Sequence, residues 1–103
     1  MPRPFGLLVA GFDYAGAAED EFNDWYDSEH LPALQAVPGC MSARRFRMRG
    51  GTHRYAALYH LTSPEVCASA AWKDAAKTAW ALRIIPHLGD RLRIALRRYQ
   101  RPG

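Results

Sequence analysis

Eight consecutive residues, Trp25-Tyr26-Asp27-Ser28-Glu29-His30-Leu31-Pro32, form the densest concentration of side chains able to do chemistry. An imidazole exchanges a proton near neutral pH, and a neighbouring carboxylate or a buried setting tunes where it does so. His30 is therefore a candidate general acid or base, with Glu29 as its tuning partner. Both sit on a helical stripe of otherwise mostly apolar residues (Phe22, Trp25, Tyr26, Ala33, Leu34 and Val37), where hydrophobic side chains would ordinarily stand. Pro32 gives no N–H to the carbonyl of Ser28 and crowds that turn, so it predicts an interruption where a ligand or water could reach the backbone. A competing structural reading is that His30 bonds a freed carbonyl and simply holds the bend.

Other candidates lie further along. Tyr59 and His60 alternate on a predicted strand, so only one of them can share a site with His30. His60 is a second acid/base candidate or a satisfied structural histidine; Tyr59, His60 or an arginine could steady an oxyanion. Arg44 and Arg45 also point to opposite faces, so one can enter a cavity to hold an anionic substrate or enolate. The alternative for these arginines is ion pairing with the acidic first helix. Trp25, Tyr26, Phe46, Trp72 and Trp80 read as core or as the lining of a substrate site. His53 lies beside a Gly-rich turn and is expected in solvent, and His87 is expected in a loop. No H-x-x-x-H, CxxC or paired-carboxylate pattern occurs, and no Walker loop, G-x-G-x-x-G or nucleophile elbow. The expectation is a site with no metal and no cofactor.

These residues need elements to position them. Phe5 to Phe12 reads as a strand, and Glu19 to Val37 as a helix with three acids in its first turn, where the helix dipole favours negative charge. Cys40 to Met48 and Arg54 to Thr62 form a hairpin around Gly50-Gly51. Ser63-Pro64-Glu65 marks the start of a helix that stops before Pro86, and Arg91 to Tyr99 is a last strand. The order β-α-β-β-α-β is α+β and ferredoxin-like: a four-stranded antiparallel sheet with two helices on one face. Strands one and three are apolar on both faces, so the uncovered face calls for a second copy of the sheet.

The chain has 103 residues, of which 49% are hydrophobic and 23% charged, and is expected to form a single domain over residues 1–103. No apolar run approaches the roughly 20 residues of a membrane span, and the stretch from Phe5 to Ala10 is too short for a signal peptide. The expected compartment is the cytoplasm, with Cys40 and Cys67 as free thiols. The net charge of +4 is uneven: residues 13 to 29 hold seven acids and no base, while Arg44 to Arg54 holds five arginines and no acid. The basic balance and element order raise an RNA-recognition module, but neither hairpin strand carries the K/R-G-F/Y-G/A-F-V-x-F/Y pattern, so nucleic acid is disfavoured.

The segment from Phe22 to Phe46, with Trp25 to Pro32, then Val37-Pro38-Gly39 and Ala43-Arg44-Arg45-Phe46, resembles the EthD-like branch of the dimeric α+β-barrel superfamily. The resemblance implies two ferredoxin-like subunits with their sheets face to face, and a pocket between each sheet and its own helices. It also implies that His30, the histidine of the H-x-P pattern, does acid/base work. Relatives in that superfamily include polyketide cyclases, muconolactone-type isomerases and cofactor-free monooxygenases. The implied function is a cofactor-independent enzyme on a small apolar, aromatic or polyketide-like carbonyl compound. Cyclase, isomerase, dehydratase (lyase) and oxygenase chemistry all fit. A non-catalytic small-ligand binding protein with the same pocket is the alternative.

Overall fold

The computed structural model describes residues 3–13, 19–51, 53–89 and 91–102. Four strands, β1 (Gly6–Phe12), β2 (Cys40–Arg47), β3 (Tyr55–Leu61) and β4 (Arg91–Arg97), form one antiparallel sheet in the order β2-β3-β1-β4. The two apolar strands expected from the sequence, β1 and β3, are the central pair. Directly opposed residues share a face. The pairs Leu8↔Tyr59, Ala10↔Ala57 and Phe12↔Tyr55 thus define one side of the sheet, and Leu7↔His60 and Val9↔Leu58 the other.

The first helical region runs without a gap through α1 (Glu19–Trp25), a π-helical turn (Tyr26–His30) and α2 (Leu31–Gln35). It was expected to break at Pro32. Instead the chain widens one turn earlier: the N–H of Leu31 reaches back five residues to the carbonyl of Tyr26, and Pro32 then opens α2, where its missing N–H costs little. Phe22, Trp25 and Tyr26 project onto the sheet and are essentially fully buried. Each such side chain contributes on the order of 1.5–3 kcal/mol on burial.

The second helical region differs from the continuous helix expected. It divides into a 3-10 segment (Pro64–Ala68), α3 (Ala70–Ala76), α4 (Ala79–Ile84) and a 3-10 turn (Ile85–His87). Ser69 and Thr78 are extended, and each caps the helix after it by accepting from Trp72 N and Ala81 N. Such residues favour caps over helix interiors, which is why the run is cut there. Ser63 stands at the expected N-terminal position, but its side chain makes no cap hydrogen bond and the turn that follows is 3-10.

The core lies between the inner sheet face and these helices, and includes Leu8, Phe22, Trp25, Tyr59, Leu61 and Ile84. Among the described residues nothing covers the outer face: Phe46, Ile94 and Leu96 are 48%, 40% and 44% exposed. Cys40 and Cys67 are free thiols. No helix of the described residues is long and apolar enough to cross a membrane.

Gly39 joins the first helical region to β2 with φ at +95°, and a Cβ there would stand 2.6 Å from Val66 Cγ2. Gly39→Ala therefore meets both backbone strain and a clash. The expected loss is about 1–3 kcal/mol, read as a fall in melting temperature of several degrees by calorimetry. An unchanged melting temperature would contradict this turn geometry.

Candidate active site between sheet and helices

A cavity of about 410 Å³ opens between the inner sheet face and the helices. Its walls are Leu8, Ala10 and Phe12 from β1, Leu34 from α2, and Trp72 and Ala76 from α3. Trp25, Tyr26 and His30 from the first helical region and Tyr59 from β3 also reach it.

The π-helical turn positions His30. A widened turn places residues i and i+5 close together, and the His30 ring lies stacked on Trp25 at 4.4 Å between centroids, tilted by 24°. Tyr26 meets the same imidazole edge-on at 4.8 Å. Among the described residues, no polar group hydrogen-bonds either ring nitrogen. The expected alternative of a histidine tied to a freed carbonyl is therefore not what the geometry contains. Burial pushes the imidazole down from its ordinary 6.5 to about 4; Glu29 pulls it back up, and the Arg45 cation adds to the lowering. His30 is neutral at physiological pH and can accept a proton or a hydrogen bond.

Tyr26 and Tyr59 form a second device. Their hydroxyls are 2.6 Å apart in a buried setting, and Trp72 packs edge-on against Tyr59. Burial pushes Tyr26 up to about 12 against the lowering effects of Tyr59 and Arg45. Burial, reinforced by the neighbouring Tyr26, raises Tyr59 as well. Both phenols stay protonated. One O–H satisfies the pair, which leaves the other to be donated to a ligand oxygen.

Arg45 stands behind this pair. Its guanidinium lies 4.5 Å from the Tyr26 ring centroid and donates to Asp27 Oδ1 and Asn23 Oδ1, each at 2.8 Å. The ion pair to the first helix is therefore made by Arg45. Glu29 does not line the cavity: its Oε2 accepts from Trp25 Nε1 at 3.0 Å and from Thr78 Oγ1 at 2.7 Å, which ties the first helical region to the cap of α4.

Three other sequence candidates lie elsewhere because of strand register. Arg44, Phe46 and His60 share the outer face, since Arg44↔Leu58, Phe46↔Ala56 and Ser42↔His60 are paired there. His60 Nδ1 is 3.1 Å from Ser42 Oγ. Trp80 lies beside the first helix with its Nε1 donating to Glu21, outside the cavity lining. His53 is half-buried rather than in solvent, and His87 is exposed on the last 3-10 turn. No cluster of His, Cys, Asp and Glu able to hold a metal occurs among the described residues. Sequence reasoning missed Thr78, whose signal was its capping position, and also Arg91 and Arg93 on the cavity wall. The alternation Arg91-Leu92-Arg93-Ile94 was the signal for those two.

The strand order, with the described helices on one face, defines a ferredoxin-like fold. A scan against protein-family models matches none, and a search of curated proteins returns no match. Solved structures are similar. SnoaB, a cofactor-independent oxygenase from Streptomyces nogalater, superposes with a TM-score of 0.64 at 16% identity, over 93% of this chain and 94% of that one. The heme-degrader MhuD from Mycobacterium tuberculosis, with two hemes bound in its active site, gives 0.65 at 15% identity over 95% and 99%. An ethyl tert-butyl ether D (EthD) family protein from Bacillus halodurans gives 0.56 at 12% identity over 91% and 98%. At these identities the likeness is one of fold.

The buried imidazole has a signature in stability. Between about pH 4 and 6.5 the unfolded chain holds a proton on this histidine that the folded chain does not. Stability therefore rises with pH through that window and falls on acidification. His30→Gln should flatten that part of a plot of melting temperature against pH. NMR titration should find His30 still neutral well below its ordinary range; an imidazole titrating near 6.5 would refute its burial.

Proposed function

We propose that the chain binds a small, planar, apolar carbonyl compound in this cavity and moves a proton on it without a metal or organic cofactor. The observation that carries the reading is the geometry: an imidazole with neither nitrogen hydrogen-bonded among the described residues, lining a largely apolar cavity beside a hydroxyl pair. His30 takes a proton from the carbon next to the carbonyl and becomes imidazolium. The negative charge moves to the carbonyl oxygen, where the spare Tyr26–Tyr59 O–H donates to it. Returning the proton to another carbon is isomerisation; breaking the bond to a β-hydroxyl, which takes the imidazolium proton and leaves as water, is dehydration. Attack by the carbanion is cyclisation, and its reaction with dioxygen is oxygenation. SnoaB, a cofactor-independent oxygenase of the same fold, supports the last.

A second reading is a ligand-binding protein without turnover. The low basicity of His30 favours it, because proton transfer is most efficient when the group titrates near the working pH. The His30 variants separate the two readings. For an enzyme, His30→Ala and His30→Gln should both keep the fold and lose roughly two to four orders of magnitude in rate. For a binder, His30→Gln should retain ligand affinity and no wild-type turnover should exist. Heme titration is the contrary arm, given the ligand of MhuD: a Soret shift abolished by His30→Ala would replace the cofactor-free reading.

The proposal includes a second copy of the chain on the outer sheet face, where Leu7, Val9, Leu58, Phe46, Ile94 and Leu96 lie together. Light scattering should return about twice the 11.6 kDa chain mass. Leu96→Asp, which places a charge within that contact, should shift the mass toward one chain. A monomeric wild type at micromolar concentration would rule the interface out.

A further inference from the structure

The cavity has one charged wall. Leu8, Ala10 and Phe12 face the helices, and their partners across the β1–β4 ladder are Ala95, Arg93 and Arg91. Both arginines therefore project to the cavity side and line it, while their own strand remains exposed. Arg93 Nη2 donates to the carbonyl of Cys67 at 2.9 Å, which fixes its guanidinium and leaves most of its N–H groups available. Arg45, Arg54 and Arg97 each pair with a carboxylate, but among the described residues neither Arg91 nor Arg93 does. Deeper in the same cavity stand the buried Tyr26 and Tyr59. The space is thus apolar and aromatic at its base and cationic along one side.

We infer that the ligand of this cavity is an aromatic carboxylate, its ring system against Trp25, Tyr59 and Trp72 and its carboxylate held by Arg91 and Arg93. Planar guanidinium forks match the two oxygens of a carboxylate, and a charge-assisted bond is roughly twice as strong as a neutral one. An uncharged aromatic compound would leave both forks to water. The inference rests on the reading of the cavity as a ligand site, and adds to it the class of compound and the residues that select it.

The test uses naphthoate and its uncharged amide as probes, titrated into the full chain at neutral pH and followed by tryptophan fluorescence. Naphthoate should bind about tenfold more tightly than the amide, and added salt should weaken naphthoate alone. Arg91→Gln combined with Arg93→Gln should abolish the preference, so that naphthoate and the amide bind that variant with affinities within about twofold of each other. Arg91→Gln by itself, which breaks no described hydrogen bond, should remove part of it, so the test survives a folding defect in the double variant. Equal affinities with mutual displacement would overturn this inference and leave the cavity reading standing. A preference for naphthoate that ignores both substitutions would overturn it too. If neither probe binds, both readings fall.

Discussion

The missing N–H of Pro32 is the constraint on which the site depends. The carbonyl of Ser28 receives no bond from position 32, and the chain responds upstream with a turn closed by Leu31 N–H on Tyr26 O. That turn aligns His30 with Trp25 rather than passing it to the neighbouring helix face. Stacking there half-buries the imidazole, and among the described residues its nitrogens gain no hydrogen-bond partner. Its neutrality and its availability therefore have the same cause.

The sheet divides the chemistry between two sides. On the inner side, cation and phenols are layered: Arg45 is neutralised by Asp27 yet still close to the Tyr26 ring, so the hydroxyl pair is supported without an unpaired charge in the core. Glu29, the sequence neighbour of His30, instead accepts from Thr78 and ties the first helical region to the cap of α4. Its carboxylate acts on the imidazole only through space. On the outer side His60 is bonded to Ser42, and Arg44 and Phe46 share the face of the apolar patch.

Much of this was legible in the sequence. The element order was legible, Gly50-Gly51 and Pro38-Gly39 marked the turns, and the two-sided apolarity of β1 and β3 was visible although their central place in the sheet was not read from it. The alternation rule put Tyr59 and His60 on opposite faces. Which of them faced inward was not readable, because it depends on the register Ala43↔Tyr59, set by packing beyond the hairpin. The stripe on the first helix brought His30 inward, but 3.6-residue spacing contains no signal for a turn of a different period. In the second helical region the apolar spacing of Trp72, Ala76 and Trp80 masked the capping of Ser69 and Thr78, whose side chains bond backbone more readily at a helix start than within one.

Strand order also distributes the arginines. The central strands β1 and β3 carry none, whereas the edge strands hold Arg44, Arg45 and Arg47 on β2 and Arg91, Arg93 and Arg97 on β4. An open edge is a template on which another chain can add a strand and begin an aggregate, and like charges along it oppose that addition. Because both edges are cationic, edge-to-edge growth of one sheet onto another brings arginine rows together whichever edges meet. Open-ended strand addition is thereby opposed at both edges of the sheet.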